Sequence, residues 1–484
     1  MQYVNIRQAL RKLQRVALLL HSWCGLDNDL EPRQVLSTPR LLLLTCPSLG
    51  LQVCWFLLQS SVTPYIRSLG LSPSYISLIW GLGPIFGAFV QPIVGQLSDE
   101  LHHSLGRRKP VMVVGALSTV ISILLMACAS DLTAPFTDTS AARPWQPLAL
   151  AVVCLATTLL GLTAYVVGVR AIVVDICPQS QQPVAAAWSM RWNVLGSASL
   201  SVVGFVSTMQ SSEADPVTTI RTLACVAFIV STVTVGLVCR FVPHEATQPI
   251  QQPKSGSSIR RVCAMCLPGE IARRWRRLPP LTARVCGVQL VAWLGWFPVL
   301  YYMSTYAYDT GPSFEASSPE SRAKFYPLYA SLSYSMGTLL STLLLTLVSH
   351  ILVTFHPGNL PRLWLLSQLL ATTSLLLTVP FQTATASLIL LFLIGTTQAV
   401  TMWVPFALIN SELAEIPTGV AGIQGLHNMA ISLPQIISSL LCSAVLAGLD
   451  LLRVGGSVVW LLRLAAVPIA WSAWLIWQLS KAIA

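Results

Sequence analysis

The sequence predicts an all-α membrane protein of twelve transmembrane helices in two six-helix halves. Three observations predict it. The 484 residues are 54% hydrophobic and only 10% charged, with a mean hydropathy of +0.67, which lies outside the range of soluble globular chains. Twelve apolar runs are each long enough to cross a bilayer core of about 30 Å. A single long polar connection divides these runs six and six.

In chain order, residues 1–41 form a polar leader with six Lys or Arg before residue 41. No apolar stretch there has the form of a signal-peptide core with a cleavage site, so no cleaved targeting sequence is expected. The spans are expected near 42–63, 75–97, 111–130, 148–170, 185–207 and 222–241, then 285–306, 327–349, 362–380, 385–409, 419–447 and 456–479. Turn punctuation falls between them, as at Leu71-Ser72-Pro73, Thr133-Ala134-Pro135 and Thr310-Gly311-Pro312. This divides the chain into an N-terminal half, 42–241, a linker, 242–284, and a C-terminal half, 285–484. The linker holds a Gln-Pro repeat and the cluster Arg273, Arg274, Arg276 and Arg277; that basic end either enforces topology or lies on anionic lipid.

The net charge of +11 is confined to particular loops, which excludes a nucleic-acid partner and fits the positive-inside pattern. With the N-terminus in the cytoplasm, 20 Lys and Arg lie on that side and six on the other. Both termini are therefore expected to be cytoplasmic, in a multi-pass protein of the plasma membrane. The twelve Cys sit mostly in apolar runs and act as small hydrophobes. Cys263-Ala264-Met265-Cys266 is half of a zinc spacing without its second half, so no metal is expected. No cluster with catalytic spacing suggests an enzyme.

Polar residues inside the spans mark the candidate site. Gln289, Trp293 and Trp296 are spaced i, i+4, i+7 and share a helix face. An amide and two indoles offer hydrogen bonds beside apolar walls, which suits a polyhydroxylated ligand. Gly287-Val288-Gln289 echoes Gly50-Leu51-Gln52, with Gln59 further along the first span, as expected of repeated halves. Gln424, His427 and Asn428 share a face of the eleventh span, and Trp403 lies on the tenth. Together these residues are expected to line a cavity between the halves. A second group is expected to gate it: Asp99, Arg107 and Arg108 as a latch between the second and third spans, and Arg170, Asp175 and Arg191 near the same end. Arg170 and Asp175 are about 140° apart on a helix and cannot pair simply with each other; Asp175 with Arg191 is the expected pair.

The loop Gly95-Gln96-Leu97-Ser98-Asp99 through Gly106-Arg107-Arg108-Lys109-Pro110 resembles the signature loop of the major facilitator superfamily. Within that superfamily the chain resembles the sucrose and α-glucoside transporters of plants and fungi. The resemblance rests on Gly50 to Tyr65, Trp80-Gly81-Leu82-Gly83-Pro84-Ile85, Val90-Gln91-Pro92, Ala292-Trp293-Leu294-Gly295-Trp296-Phe297-Pro298, Met402 to Ile409, Gly425 to Ile431 and Pro434 to Ile437. Arg170 to Asp175, followed by Ala186-Ala187-Trp188-Ser189-Met190-Arg191, resembles the fungal branch. The resemblance covers roughly residues 40 to 480.

It implies the major facilitator fold and proton-coupled transport of sucrose or a related α-glucoside by alternating access, with no cofactor besides a proton gradient. One position departs from the pattern. Family members carry an Asp in the fourth helix, eleven residues before the matching Arg, where this chain has Leu159. An alkyl side chain cannot carry a proton, which leaves His427, or Asp175 acting from the inner end, as the substitute titrating group. A passive sugar facilitator and a non-transporting sugar sensor are the alternative readings.

Overall fold

A computed structural model describes residues 35–70, 81–136, 145–210, 216–243, 268–310, 319–351, 359–416, 419–454 and 457–483. Most of the leader (1–34) and most of the expected linker (244–267) lie outside the described residues. Among the described residues there are twelve helical rods and no strand. The first span joins Thr38–Thr45, Pro47–Leu57, a π-helical turn Leu58–Val62 and Thr63–Ser68. The second joins Leu82–Ile85, a π-helical turn Phe86–Val90 and Gln91–Glu100. The third to sixth are Lys109–Ala127, Trp145–Ile176, Gln182–Gln210 and Pro216–Phe241. The seventh to twelfth are Pro280–Thr310, Pro319–Ile351, Leu360–Leu376, Ala384–Leu413, Val420–Leu451 and Ser457–Ile483.

Proline opens many of these rods, because a ring with a fixed φ and no N–H is harmless in a first helical turn. Pro47, Pro110 and Pro361 sit there. The same chemistry corrects the expected linker: Pro268 opens a short helix, Pro268–Trp275, and Pro280 starts the seventh span before residue 285. The fourth span also runs past 170 to Ile176, so Asp175 is still helical.

Eight of the rods are long and apolar enough to cross a membrane by length and composition alone. The second, fifth, eighth and ninth are not among them. The second, fifth and eighth run along the junction between the halves, where a helix faces protein on more than one side and need not be lipophilic all round.

The packing is repeated. In the N-terminal half the first span packs on the fifth and sixth, the third on the fourth and sixth, and the second on the fourth. Six spans later the same pairs recur: seventh with eleventh and twelfth, ninth with tenth and twelfth, eighth with tenth. Across the junction the second span packs on the eleventh and the fifth on the eighth, while the fourth meets the eleventh and the fifth meets the tenth. Exchanging the halves turns each of these contacts into its partner, the signature of a two-fold repeat.

The junction of spans two and eleven is tight. A Cβ on Gly95 would lie 2.3 Å from the Ala421 carbonyl oxygen, and one on Gly425 would lie 2.5 Å from Pro92 Cα. Both clashes are with backbone, so hydrogen alone fits. Gly95→Val is expected to force these spans apart and lower the melting temperature in detergent. Gly448→Ala, in open space on the same eleventh span, is expected to leave it unchanged or raise it, by up to about 1 kcal/mol of helix propensity. Thermal unfolding followed by tryptophan fluorescence checks both.

Candidate functional site

One end of the bundle carries the turn between spans two and three. Its centre is Arg108, whose side chain is fully buried. Its Nη2 lies 2.6 Å from Asp99 Oδ1, its Nε 2.6 Å from Asp175 Oδ2 and its Nη1 3.0 Å from Ser98 Oγ. Arg107 Nη2 adds a contact of 3.1 Å to Asp175 Oδ2. Burial works against the charge on Arg108, but Asp175 and Asp99 outweigh it, so its pKa is raised. Asp175 therefore pairs with Arg107 and Arg108, not with Arg191 as the sequence suggested. The reason is depth. Asp175 ends the fourth span, whereas Arg191 lies nine residues into the fifth, about 13 Å further in, with its guanidinium 4.3 Å from the Trp188 ring centre.

The same Asp99 carboxylate reaches the other half. Its Oδ1 accepts from Ala421 N at 3.2 Å and its Oδ2 from Gly422 N at 2.8 Å. Those amides open the eleventh span, whose N-cap Gly419 (φ +83°) has no capping side chain. A helix start presents free N–H groups and a positive dipole end; Asp99 satisfies both from the opposite half. This end is the latch end. Two caps there are not obvious in the sequence. Glu412, closing the tenth span, accepts from Leu281 N, Thr282 N and Thr282 Oγ1 at 3.0, 2.7 and 2.6 Å. Lys109 Nζ donates to the Val242 carbonyl at 2.6 Å, at the end of the sixth span.

Deeper in, a polar cluster joins spans two, four, ten and eleven. Arg170 Nη1 donates to Asn428 Oδ1 at 3.3 Å, and its guanidinium lies 4.4 Å from the Phe406 ring centre. Asn428 Nδ2 donates to the Gly87 carbonyl at 3.1 Å, within the π-helical turn of span two. Such turns depart from regular hydrogen bonding and recur at functional sites. Gln424 Nε2 donates to Asn410 Oδ1 at 3.2 Å. His427 packs edge-on to Phe406, ring centres 4.8 Å apart.

Several buried polar atoms here have no hydrogen-bond partner, both ring nitrogens of His427 and Gln424 Oε1, and so do Gln289 Oε1 and Trp293 Nε1 on span seven. Arg170, His427 and Gln289 each lie six to nine residues from the latch end of their own spans, or about 9–13 Å along the helix axes. Their depths therefore match.

The other expected site residues lie elsewhere. Trp296 is buried with its indole N–H on Gln368 Oε1 at 3.2 Å, in the packing of spans seven, nine and twelve; Gln368 also donates to Thr401 Oγ1 at 2.7 Å. Trp403 donates to the Pro183 carbonyl at 2.9 Å across the junction of spans ten and five. Gln52 donates to Ser197 at 2.8 Å within the N-terminal half, and Gln59 is exposed in the π-helical turn of span one. The structure thus gathers Gln424, His427, Asn428 and Arg170 in one cluster, with Gln289 at a matching depth on span seven, while Trp293 packs in the same apolar cluster as Trp296, and Trp296, Trp403, Gln52 and Gln59 stand apart from the polar cluster. Between spans five, eight and ten, a cavity of about 20 Å³ is lined by residues including Met190, Arg191 and Trp403. It has room for about one water, so the junction is closed there.

Residues 44–439 match the family model of the major facilitator superfamily. The chain belongs to this superfamily. Its curated relatives include the general alpha-glucoside permease of Schizosaccharomyces pombe, 24% identical over 88% of this chain and 91% of that protein. The sucrose transport protein SUC4 of Arabidopsis thaliana is 24% identical, with 84% of each chain covered. Among solved structures, the transporter FucP in the outward conformation aligns with a TM-score of 0.61 at 15% identity, over 90% of this chain and 97% of that one. The proton:xylose symporter XylE aligns at 0.62 and 14%, over 90% and 94%. These structural matches establish the fold. The superfamily and the relatives are transporters, not enzymes.

Two substitutions separate packing from latch. Trp296→Ala empties a filled site in a buried core and is expected to cost about 3–5 kcal/mol, read as a drop in melting temperature in detergent. Asp99→Asn removes a charge from both Arg108 and the eleventh span. A cysteine placed at Val167, buried with Val94 and Ala421 at the junction of spans four, two and eleven, is then expected to react several-fold faster with a thiol reagent than in the parent background. An unchanged rate would reduce the loop to a topology signal.

Proposed function

We propose that this chain moves sucrose or a related α-glucoside across the plasma membrane by alternating access, with the latch end and both termini in the cytoplasm. The observation that carries the reading is the set of unpartnered buried polar atoms on His427 and Gln424 beside Arg170, with Gln289 unpartnered at a matching depth on span seven. Burying a polar group without a partner costs on the order of 1–3 kcal/mol, a cost that ligand hydroxyls would offset once the halves part. The names of the relatives support the same ligand class. The sidedness is supported by the count of 20 basic residues against six in the loops.

In this reading Arg170, Asn428 and Gln424 orient the sugar, and the Trp293 and Phe406 rings supply its apolar walls. Asp99, Arg107, Arg108 and Asp175 hold the cytoplasmic side shut, with Arg191 higher on the neighbouring junction. Rocking of the halves breaks the Asp99 bonds to span eleven while Arg108 keeps its carboxylates within the N-terminal half.

Coupling follows from Leu159. It is buried in the core of the N-terminal half, 4.0 Å from the point where a Cβ on Gly83 would lie, so this span offers no proton carrier at that position. Asp99 and Asp175 are tied to Arg108 and Glu412 caps a helix, which leaves His427 as the titratable group at the site; the Arg170 cation beside it opposes a second positive charge there, so coupling through His427 is expected to be weak. Leu159 also favours the second reading, a passive facilitator.

The decisive measurement is uptake of radiolabelled sucrose into proteoliposomes with and without an imposed pH gradient. Saturable uptake with weak dependence on the gradient is expected, and Leu159→Asp is expected to increase gradient-driven accumulation. Absence of saturable uptake of any α-glucoside would overturn the transport reading. Steep proton-driven accumulation that persists in His427→Gln would overturn the assignment of His427.

A further inference from the structure

Charge inside the membrane is of one sign. The twelve spans expected from hydropathy contain no Asp or Glu. Arg170, Arg191 and Arg463 do lie inside, six, nine and six residues from the nearest ends of their helices. Arg463 sits away from the latch, donating to the Thr378 carbonyl at 3.1 Å and lying 4.8 Å from the Trp460 ring centre. Arg170 belongs to the polar cluster between the halves.

The carboxylates at the latch end of the bundle are already committed. Asp99 and Asp175 pair with Arg107 and Arg108, two negative charges against two positive. Glu412 lies on the amides that open span seven. Among the described residues Arg170 makes no ion pair. Its one side-chain hydrogen bond goes to the neutral Asn428 amide at 3.3 Å, and the Phe406 ring lies against its guanidinium. A guanidinium is a planar fork of five N–H donors, so most of this one's capacity is unused. Those donors are not sealed in, because the side chain is only half-buried. The fully buried His427 packs edge-on against the same Phe406 ring with both ring nitrogens unpartnered. A cation held in a low-dielectric interior without a counter-charge is costly, and arginine-lined pathways through membranes favour anions.

We propose that the cluster binds an anion on the open N–H groups of Arg170, beside His427, either as a carboxylate carried by the glycoside or as a free halide. The proposal rests on the reading of this cluster as the sugar site. It adds a charge to the ligand class: with a neutral sugar alone the site turns from one side of the membrane to the other carrying an unbalanced cation, and the anion balances it. Leu159 and the lone Arg170 are then two faces of one change, the loss of an acid from the site and its replacement by a charge that arrives with the ligand.

Two glycosides that differ in charge test this. Maltobionate is an α-glucoside of a sugar acid, and maltitol has CH2OH in place of the carboxylate. Their affinities for the full chain in detergent are measured by calorimetry in halide-free zwitterionic buffer, and again with sodium chloride. An anion is expected to tighten binding by about tenfold, the scale of one hydrogen bond to a charged group. Maltobionate exceeds maltitol without chloride where the glycoside supplies the charge; chloride tightens maltitol where a free halide does. Arg170→Gln is expected to bring both ratios to about one, while Arg170→Lys and the remote Arg463→Gln keep the preference. Both ratios near one in the parent, a preference that survives Arg170→Gln, or one lost in Arg463→Gln would overturn the proposal. The parent ratios decide even where a variant fails to fold. Equal, saturable binding of both glycosides overturns this inference and leaves the sugar reading standing, whereas binding of neither overturns both.

Discussion

The structure depends on one carboxylate that serves two masters. Asp99 accepts from Arg108 in its own half and from the first amides of span eleven in the other. The two bonds differ in what breaking them would entail. Arg108 is buried without exception, and separating a buried ion from its partners costs about 3–5 kcal/mol. The bonds to Ala421 and Gly422 have neutral donors, and those donors lie at a helix end that water can reach once the halves separate. The latch therefore has a permanent side and a releasable side. Asp175 makes the permanent side firmer, because it leaves Arg108 paired when Asp99 moves away from span eleven.

The polar cluster above the latch is built on the opposite principle. In the latch each side chain has found a partner. Around His427 several have none among the protein's atoms. In a low-dielectric interior such atoms lower stability, and a fold selected for rigidity alone would fill these positions with Leu or Met. Trp296 illustrates the contrast within one helix. Its indole is satisfied by Gln368, while that of Trp293, three residues earlier in the same apolar cluster, is not. One stripe of similar residues thus holds a satisfied indole beside an unsatisfied one.

Much of this was legible in the sequence. Hydropathy set the number of spans, the basic loops set the expected orientation, and the Gly-x-Gln echo indicated the repeat that the paired helix contacts display. The Asp99–Arg108 pairing followed from a short loop with charges at both ends. Other features turn on angles and depths that helical spacing does not resolve. Trp293 and Trp296 are 60° apart on a helix, close enough to share a stripe and a cluster, yet far enough that one indole N–H finds Gln368 and the other finds no partner. The pairing of Asp175 with Arg191 failed because adjacency of spans four and five says nothing about the depth of each charge. Glu412 as a cap of span seven required knowing that the tenth span ends beside the seventh.

The two-fold repeat sharpens what the latch does. Exchanging the halves maps the junction of spans two and eleven onto that of spans eight and five. Among the described contacts there, Trp403 on the neighbouring tenth span donates to the Pro183 carbonyl. Near span eleven the junction is closed by a charged carboxylate on a helix start, and a charge-assisted bond weakens steeply as water enters. The first few ångströms of separation between spans two and eleven are therefore felt most strongly at Asp99, on the side where the linker helix and its arginines also lie.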